Sequence, residues 1–180
     1  MERSVAHIAL FTALIAALGI VPKIDLAAGV PITAQSLGIM LCGTVLGSKR
    51  GALAVLLFLL LVAIGLPLLS GGRGGLGVFA GPSVGFLIGF PIAAFVTGWI
   101  VERTTLTPFW ASFFGAVIGG IGVLYATGIP GMALVLGKSL TEASYLAMAF
   151  LPGDIVKAVL AGFVTQAIAT ARPAALLSRA

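Results

Sequence analysis

Long apolar runs, each closed by proline, glycine or a charged cluster, set the rhythm of this chain. They cover Ser4–Val21, Ala34–Gly47, Gly51–Leu66, Val84–Val101, Pro108–Thr127 and Pro152–Ala171. A helix needs ~20 apolar residues to cross a ~30 Å hydrocarbon core. The pattern therefore predicts an all-α integral membrane bundle of about six transmembrane helices. Ala34–Gly47 is short for a crossing. Either neighbouring protein covers its ends, or the non-helical Pro31-Ile32-Thr33 stretch continues it and lines a cavity. Pro22–Thr33, Pro67–Ser83 and Gly128–Leu151 remain as the longer connections, expected as loops over a pocket. No strong internal repeat is visible, which argues mildly against a self-contained alternating-access carrier.

Composition agrees with lipid as the solvent. The 180 residues are 60% hydrophobic and only 8% charged, with a mean hydropathy of +1.22. A soluble domain carries roughly 25% charged residues. The length suits one domain over residues 1–180. The net charge of +5 does not point to nucleic acid, because the basic residues fall between apolar runs, where they orient helices. One side holds Arg3, Lys49, Arg50, Arg103, Arg172 and Arg179. The other holds Lys23, Arg73 and Lys138, with Lys157 just inside the membrane. The imbalance puts both termini in the cytoplasm. The single cysteine, Cys42, and the single histidine, His7, leave no disulfide within the chain and none of the usual metal sites. The N-terminal run lacks a clear small-residue cleavage site and reads as a retained helix.

Two motifs match catalytic patterns without their context. Gly72-Arg73-Gly74-Gly75-Leu76-Gly77 fits G-x-G-x-x-G, but a dinucleotide site needs a strand before it and a helix after it. Gly81-Pro82-Ser83-Val84-Gly85 fits G-x-S-x-G, but the hydrolase elbow needs a histidine base. A Ser83–Lys157 dyad is the remaining enzymatic alternative. Pro82 is expected in the first turn of the fourth helix. Along the first helix, Ala9, Ala13 and Ala17 recur every four residues. Such a stripe permits close helix approach, either inside the bundle or against a partner subunit.

Asp154 and Lys157 stand out in Phe150-Leu151-Pro152-Gly153-Asp154-Ile155-Val156-Lys157. Their spacing of three puts them on one helix face. A structural account exists: Asp154 suits the positive end of the helix dipole, and Lys157 pairs with it or snorkels outward. A functional account rests on cost. Ionisable groups at mid-membrane are unfavourable by about 2.5–3.5 kcal/mol, less near the interface, and usually face a cavity. Asp154 can accept two N–H groups and Lys157 can receive a carboxylate. A small solute with an N–H head, an apolar body and a carboxylate would fit, with Thr33, Gln35, Arg73, Ser83 and Phe86 as further lining groups.

Three stretches carry a family resemblance. They are Gly29-Val30-Pro31-Ile32-Thr33-Ala34-Gln35-Ser36-Leu37-Gly38, Gly71-Gly72-Arg73-Gly74-Gly75 leading to Gly81-Pro82-Ser83, and Phe150 to Ala158. The chain resembles the BioY family, the biotin-capturing S components of energy-coupling-factor (ECF) transporters. The resemblance implies the six-helix S-component fold, biotin as substrate, and a transporter rather than an enzyme. It places the family's aspartate and lysine on Asp154 and Lys157 and adds Gly81 to the lining candidates. It implies a bacterial cytoplasmic membrane location and a transmembrane coupling subunit docked on Ala9, Ala13 and Ala17. No cofactor belongs to this chain, since ATP would be used by paired partner ATPases, and the loaded subunit would topple to release substrate inward. Other outcomes stay open: an S component for another vitamin, a solitary transporter, or a purely structural subunit. Phe86 stands where members often have tyrosine, and the chain has no asparagine. Arg73, Ser83 and Gln35 are left as the replacement contacts.

Overall fold

The structure is a computed structural model that describes residues 2–23 and 30–179, with side chains from Ser4 onward. Residues 24–29 of the expected Pro22–Thr33 connection, including Gly29 of the first resembling stretch, lie outside the described residues. The helices are α1 Glu2–Leu18, α2 Gln35–Leu46, α3 Ser48–Ala63, α4 Val84–Arg103, α5 Pro108–Leu136, α6 Leu140–Met148 and α7 Leu151–Ala171. The described residues contain no extended strand, only isolated bridge positions such as the Leu69–Arg73 pair.

Among the described residues, only α4, α5 and α7 are long and apolar enough to cross a membrane by length and composition. The short α2 is sheltered rather than exposed: every residue except Ser36 and Leu37 is buried. It packs against α1, α3, α4 and α7 and forms the axis of the bundle. Its close neighbours need glycine. A Cβ at Gly43 would strike Thr97 and the Ala94 carbonyl of α4. The chain reverses at Gly47, whose φ of 85° suits a residue without Cβ. The Glu102 carboxylate then closes α3's first turn, accepting from the Ser48 N–H and Oγ–H at 2.7 Å each.

The largest departure from the sequence expectation lies at Gly128–Leu151. In place of the expected loop, α5 continues to Leu136 and α6 follows. Gly128-Ile129-Pro130-Gly131 reads as a turn, but its glycines serve helix packing. A Cβ at Gly131 would meet the Gly85 backbone of α4 at 2.6 Å, and one at Gly128 would overlap the Phe86 ring. Pro130 lies inside the helix, which neighbouring helices permit in a membrane bundle. Termination comes at Gly137, in the left-handed conformation. Ser139 then opens α6 through a reciprocal capping box with Glu142. A smaller correction concerns Pro82. It precedes α4 in the turn before Ser83 and is not part of the helix.

The first and last described residues, Glu2 and Arg179, lie at one end of the bundle. The C-terminal end of α1 reaches Gln35 and Leu68, so α1 begins at the opposite end. The tail after α7 folds back on that opposite end, where Ser178 Oγ donates to the Thr44 carbonyl and Arg179 Nη2 to the Leu106 carbonyl.

Candidate functional site

At the other end, five segments converge: 30–36 before and within α2, the Leu69–Arg73 turn, the start of α4, Leu124 and Tyr125 of α5, and the start of α7. The N-terminal ends of α2, α4 and α7 all open onto this pocket. Its lining is mostly apolar, with Ile32, Leu87 and Phe90 among its walls. Phe86 meets Tyr125 and Phe150 edge-to-face, with ring centroids 6.5 and 5.9 Å apart. The three rings form an aromatic wall.

One end of the pocket is a compact polar cluster. Lys157 Nζ donates to Asp154 Oδ1 at 2.9 Å and to Ser36 Oγ at 2.9 Å. Ser36 Oγ donates to Asp154 Oδ1 at 3.2 Å, and the Tyr125 hydroxyl donates to Asp154 Oδ2 at 3.0 Å. Asp154 is buried and the Lys157 side chain nearly so. A buried carboxylate is tolerable only when charge and lone pairs are met, and here three donors meet them. The sequence reading places Asp154 and Lys157 at separate ends of a ligand. At 2.9 Å they instead form one pole.

The geometry sorts the other sequence candidates. Thr33, Gln35, Arg73, Ser83 and Phe86 all line this pocket, whereas Gly81 does not. Thr33 Oγ1 accepts from the Gln35 N–H at 3.2 Å and so steadies the entrance to α2. Gln35 is occupied structurally. Its Nε2 donates to the Ile15 and Leu68 carbonyls at 3.2 and 3.1 Å, and its Oε1 accepts from the Ser70 N–H at 3.0 Å. It clamps α1 and the Leu68–Ser70 turn around the pocket. Arg73 is held at its Nε by the Ser70 carbonyl at 3.2 Å. Ser83 precedes α4 and is buried. Lys157 directs its ammonium to Asp154 and Ser36, so it is a poor base for the Ser83 hydrolase alternative.

Ser36 and Tyr125 escaped sequence reasoning. Ser36 lies one residue beyond the flagged Gln35, with no spacing that links it to Asp154. Tyr125 did leave a signal, because a phenol inside an apolar helix needs a partner. Its direction depends on a π-helical stretch, Ala116–Val123, just before it. A π turn holds an extra residue, and each extra residue rotates the downstream side chains by about 100°. Gly119 and Gly120 let this widened stretch press against Thr97 and Met40.

The stripe residues Ala9, Ala13 and Ala17 are exposed. The opposite face of α1 is the buried one: Ile15 is in the core, and Thr12 Oγ1 bonds to the Ala54 carbonyl of α3 at 2.9 Å. The stripe therefore faces away from the bundle.

The sequence model described as the BioY family matches residues 2–174. The chain belongs to the BioY family. It is 57% identical over 189 aligned positions to the biotin transporter BioY of Rhodobacter capsulatus, covering 99% of this chain and 100% of that one. The biotin transporter BioY of Rhizobium etli is 52% identical, with 95% of each chain covered. The crystal structure of the S-component for biotin from an ECF-type ABC transporter superposes with a TM-score of 0.89 at 31% identity, over 94% of this chain and 92% of that chain. The fold is thus the S-component fold, and this BioY member belongs with transporters, not with hydrolases. With its long apolar helices, it is a membrane protein.

Proposed function

We propose that this BioY member captures biotin at the outer face of the bacterial cytoplasmic membrane, as the S component of an ECF-type transporter. One observation carries the reading: an apolar, ring-walled pocket with a paired Asp154–Lys157 pole and Arg73 as its further cationic lining residue. Biotin has a ureido head with N–H donors and a carbonyl, an apolar body, and a carboxylate at the end of its tail. The head suits the Asp154 pole. Lys157 already has a counter-charge there, so the carboxylate is assigned to Arg73, a guanidinium suited to that geometry. Phe86, Phe90 and Phe150 flank the body.

Orientation rests on the basic residues. Lys49, Arg50, Arg103, Arg172 and Arg179 lie at the end away from the pocket, and Lys23, Arg73 and Lys138 at the pocket end. The positive-inside rule puts the first group, and both termini, in the cytoplasm. The outward Ala9/Ala13/Ala17 face is the docking surface for a transmembrane coupling subunit, which in turn joins paired ATPases.

Purified protein is expected to bind biotin and to release it on denaturation, detectable by mass spectrometry. Asp154→Asn leaves Lys157 buried without its counter-charge, and Lys157→Ala does the converse. Each variant also removes a charged group that would hydrogen-bond the ligand, a contact worth about 1.5–3 kcal/mol, so each should weaken binding roughly 10- to 100-fold. If both variants kept wild-type affinity, the pocket assignment would be wrong. Uptake of labelled biotin by cells expressing this chain alone tests whether it needs its module.

A further inference from the structure

The polar pole has a countable set of open hydrogen-bond positions, and on the biotin reading their number narrows what head group it takes. An ionised carboxylate offers about four lone-pair positions. On Asp154, Oδ1 accepts from Lys157 Nζ and Ser36 Oγ, and Oδ2 accepts from the Tyr125 hydroxyl. One acceptor position remains, on Oδ2. The Lys157 ammonium has three N–H groups. One goes to Asp154 Oδ1 and one to Ser36 Oγ, so one donor remains. Both residues line the pocket.

We infer that the pole presents one open acceptor beside one open donor, and so selects the adjoining N–H and C=O edge of a cyclic urea or lactam. Tyr125 and Ser36 are positioning residues that occupy the competing positions. A guanidinium of the same shape has donors where the urea has its carbonyl. It cannot form a two-pronged pair with Asp154, because Oδ1 is full. It also sets a cation against Lys157, whose charge Asp154 has already balanced. The pole is therefore selective for an uncharged head.

The experiment uses the full purified chain and two probes, biotin and its guanidinium analogue 2-iminobiotin, at neutral pH by titration calorimetry. Sites built to hydrogen-bond one group strongly reject an analogue that lacks it, so 2-iminobiotin should bind at least about 100-fold more weakly than biotin. Binding within about threefold of biotin would overturn this inference while leaving the biotin reading intact. Failure of biotin itself to bind would overturn the biotin reading. Tyr125→Phe leaves Oδ1 full but frees both positions on Oδ2, where a guanidinium can then place two N–H groups, so the ratio of the two affinities should narrow by at least about threefold. Ser36→Ala opens one on Oδ1 and should narrow it too. A uniform loss for both probes, with the ratio unchanged, would reduce Tyr125 and Ser36 to structural roles and overturn their assignment.

Discussion

Replacing Gln35 by alanine separates a clamp from a ligand contact. The buried side chain makes three hydrogen bonds, all to backbone: to Ile15 O at 3.2 Å, Leu68 O at 3.1 Å and from Ser70 N at 3.0 Å. Ile15 O also accepts from the Gly19 N–H, so alanine leaves it satisfied. The Leu68 carbonyl and Ser70 N–H lose the partner that Gln35 supplied. A buried polar group without a partner costs about 1–3 kcal/mol, which puts the loss for the two groups of the Leu68–Ser70 turn at about 2–6 kcal/mol. Local opening of that turn should rise at least roughly 30-fold. The assay is amide hydrogen exchange at Ser70 in ligand-free protein, with biotin affinity measured in parallel. Affinity should fall only as far as the open turn is populated. Gln35→Glu is a sharper control, because it turns a carboxylate oxygen toward the two carbonyls and should open the turn at least as far. Unchanged Ser70 exchange in Gln35→Ala, together with a large loss of biotin affinity, would refute the clamp and make Gln35 a ligand contact.

Other perturbations test other parts of the molecule. Gly131→Val forces a side chain into the Gly85 backbone and should destabilise the fold by about 1–3 kcal/mol, read as a lowered unfolding midpoint in detergent. Ala13→Trp alters an exposed position. It should leave biotin binding by the isolated chain unchanged but prevent co-purification with the coupling subunit. Glu142 has its pKa lowered by hydrogen bonds from Ser139 and by Lys138. Its capping contribution to α6 is therefore present above the ordinary carboxylate range and lost as pH falls through the lowered value. Protection of the α6 amides, corrected for the intrinsic pH dependence of exchange, should fall on acidification, and Glu142→Gln should remove that fall.

Much of the molecule is legible along the chain. Apolar runs of near-spanning length have one low-cost solution in lipid, the helix, so the helical bundle can be read from hydropathy alone. Asp154 and Lys157 stand out because charge is costly in such runs, and i,i+3 spacing puts them on one face whatever the tertiary fold. What spacing within one helix cannot supply is a partner from another. Ser36 and Tyr125 reach Asp154 from α2 and α5, and only the packed bundle brings them there. Packing also decides between equal local readings. Gly128 and Gly131 are as good for a turn as for a close helix contact, and α4 selects the contact. Gln35 is as good a ligand contact as a clamp, and the backbone groups of Ile15, Leu68 and Ser70 make it a clamp. The Ala9/Ala13/Ala17 stripe has a periodicity but no direction in sequence. Thr12 and Ile15 fix the buried face of α1, and the stripe is left facing outward.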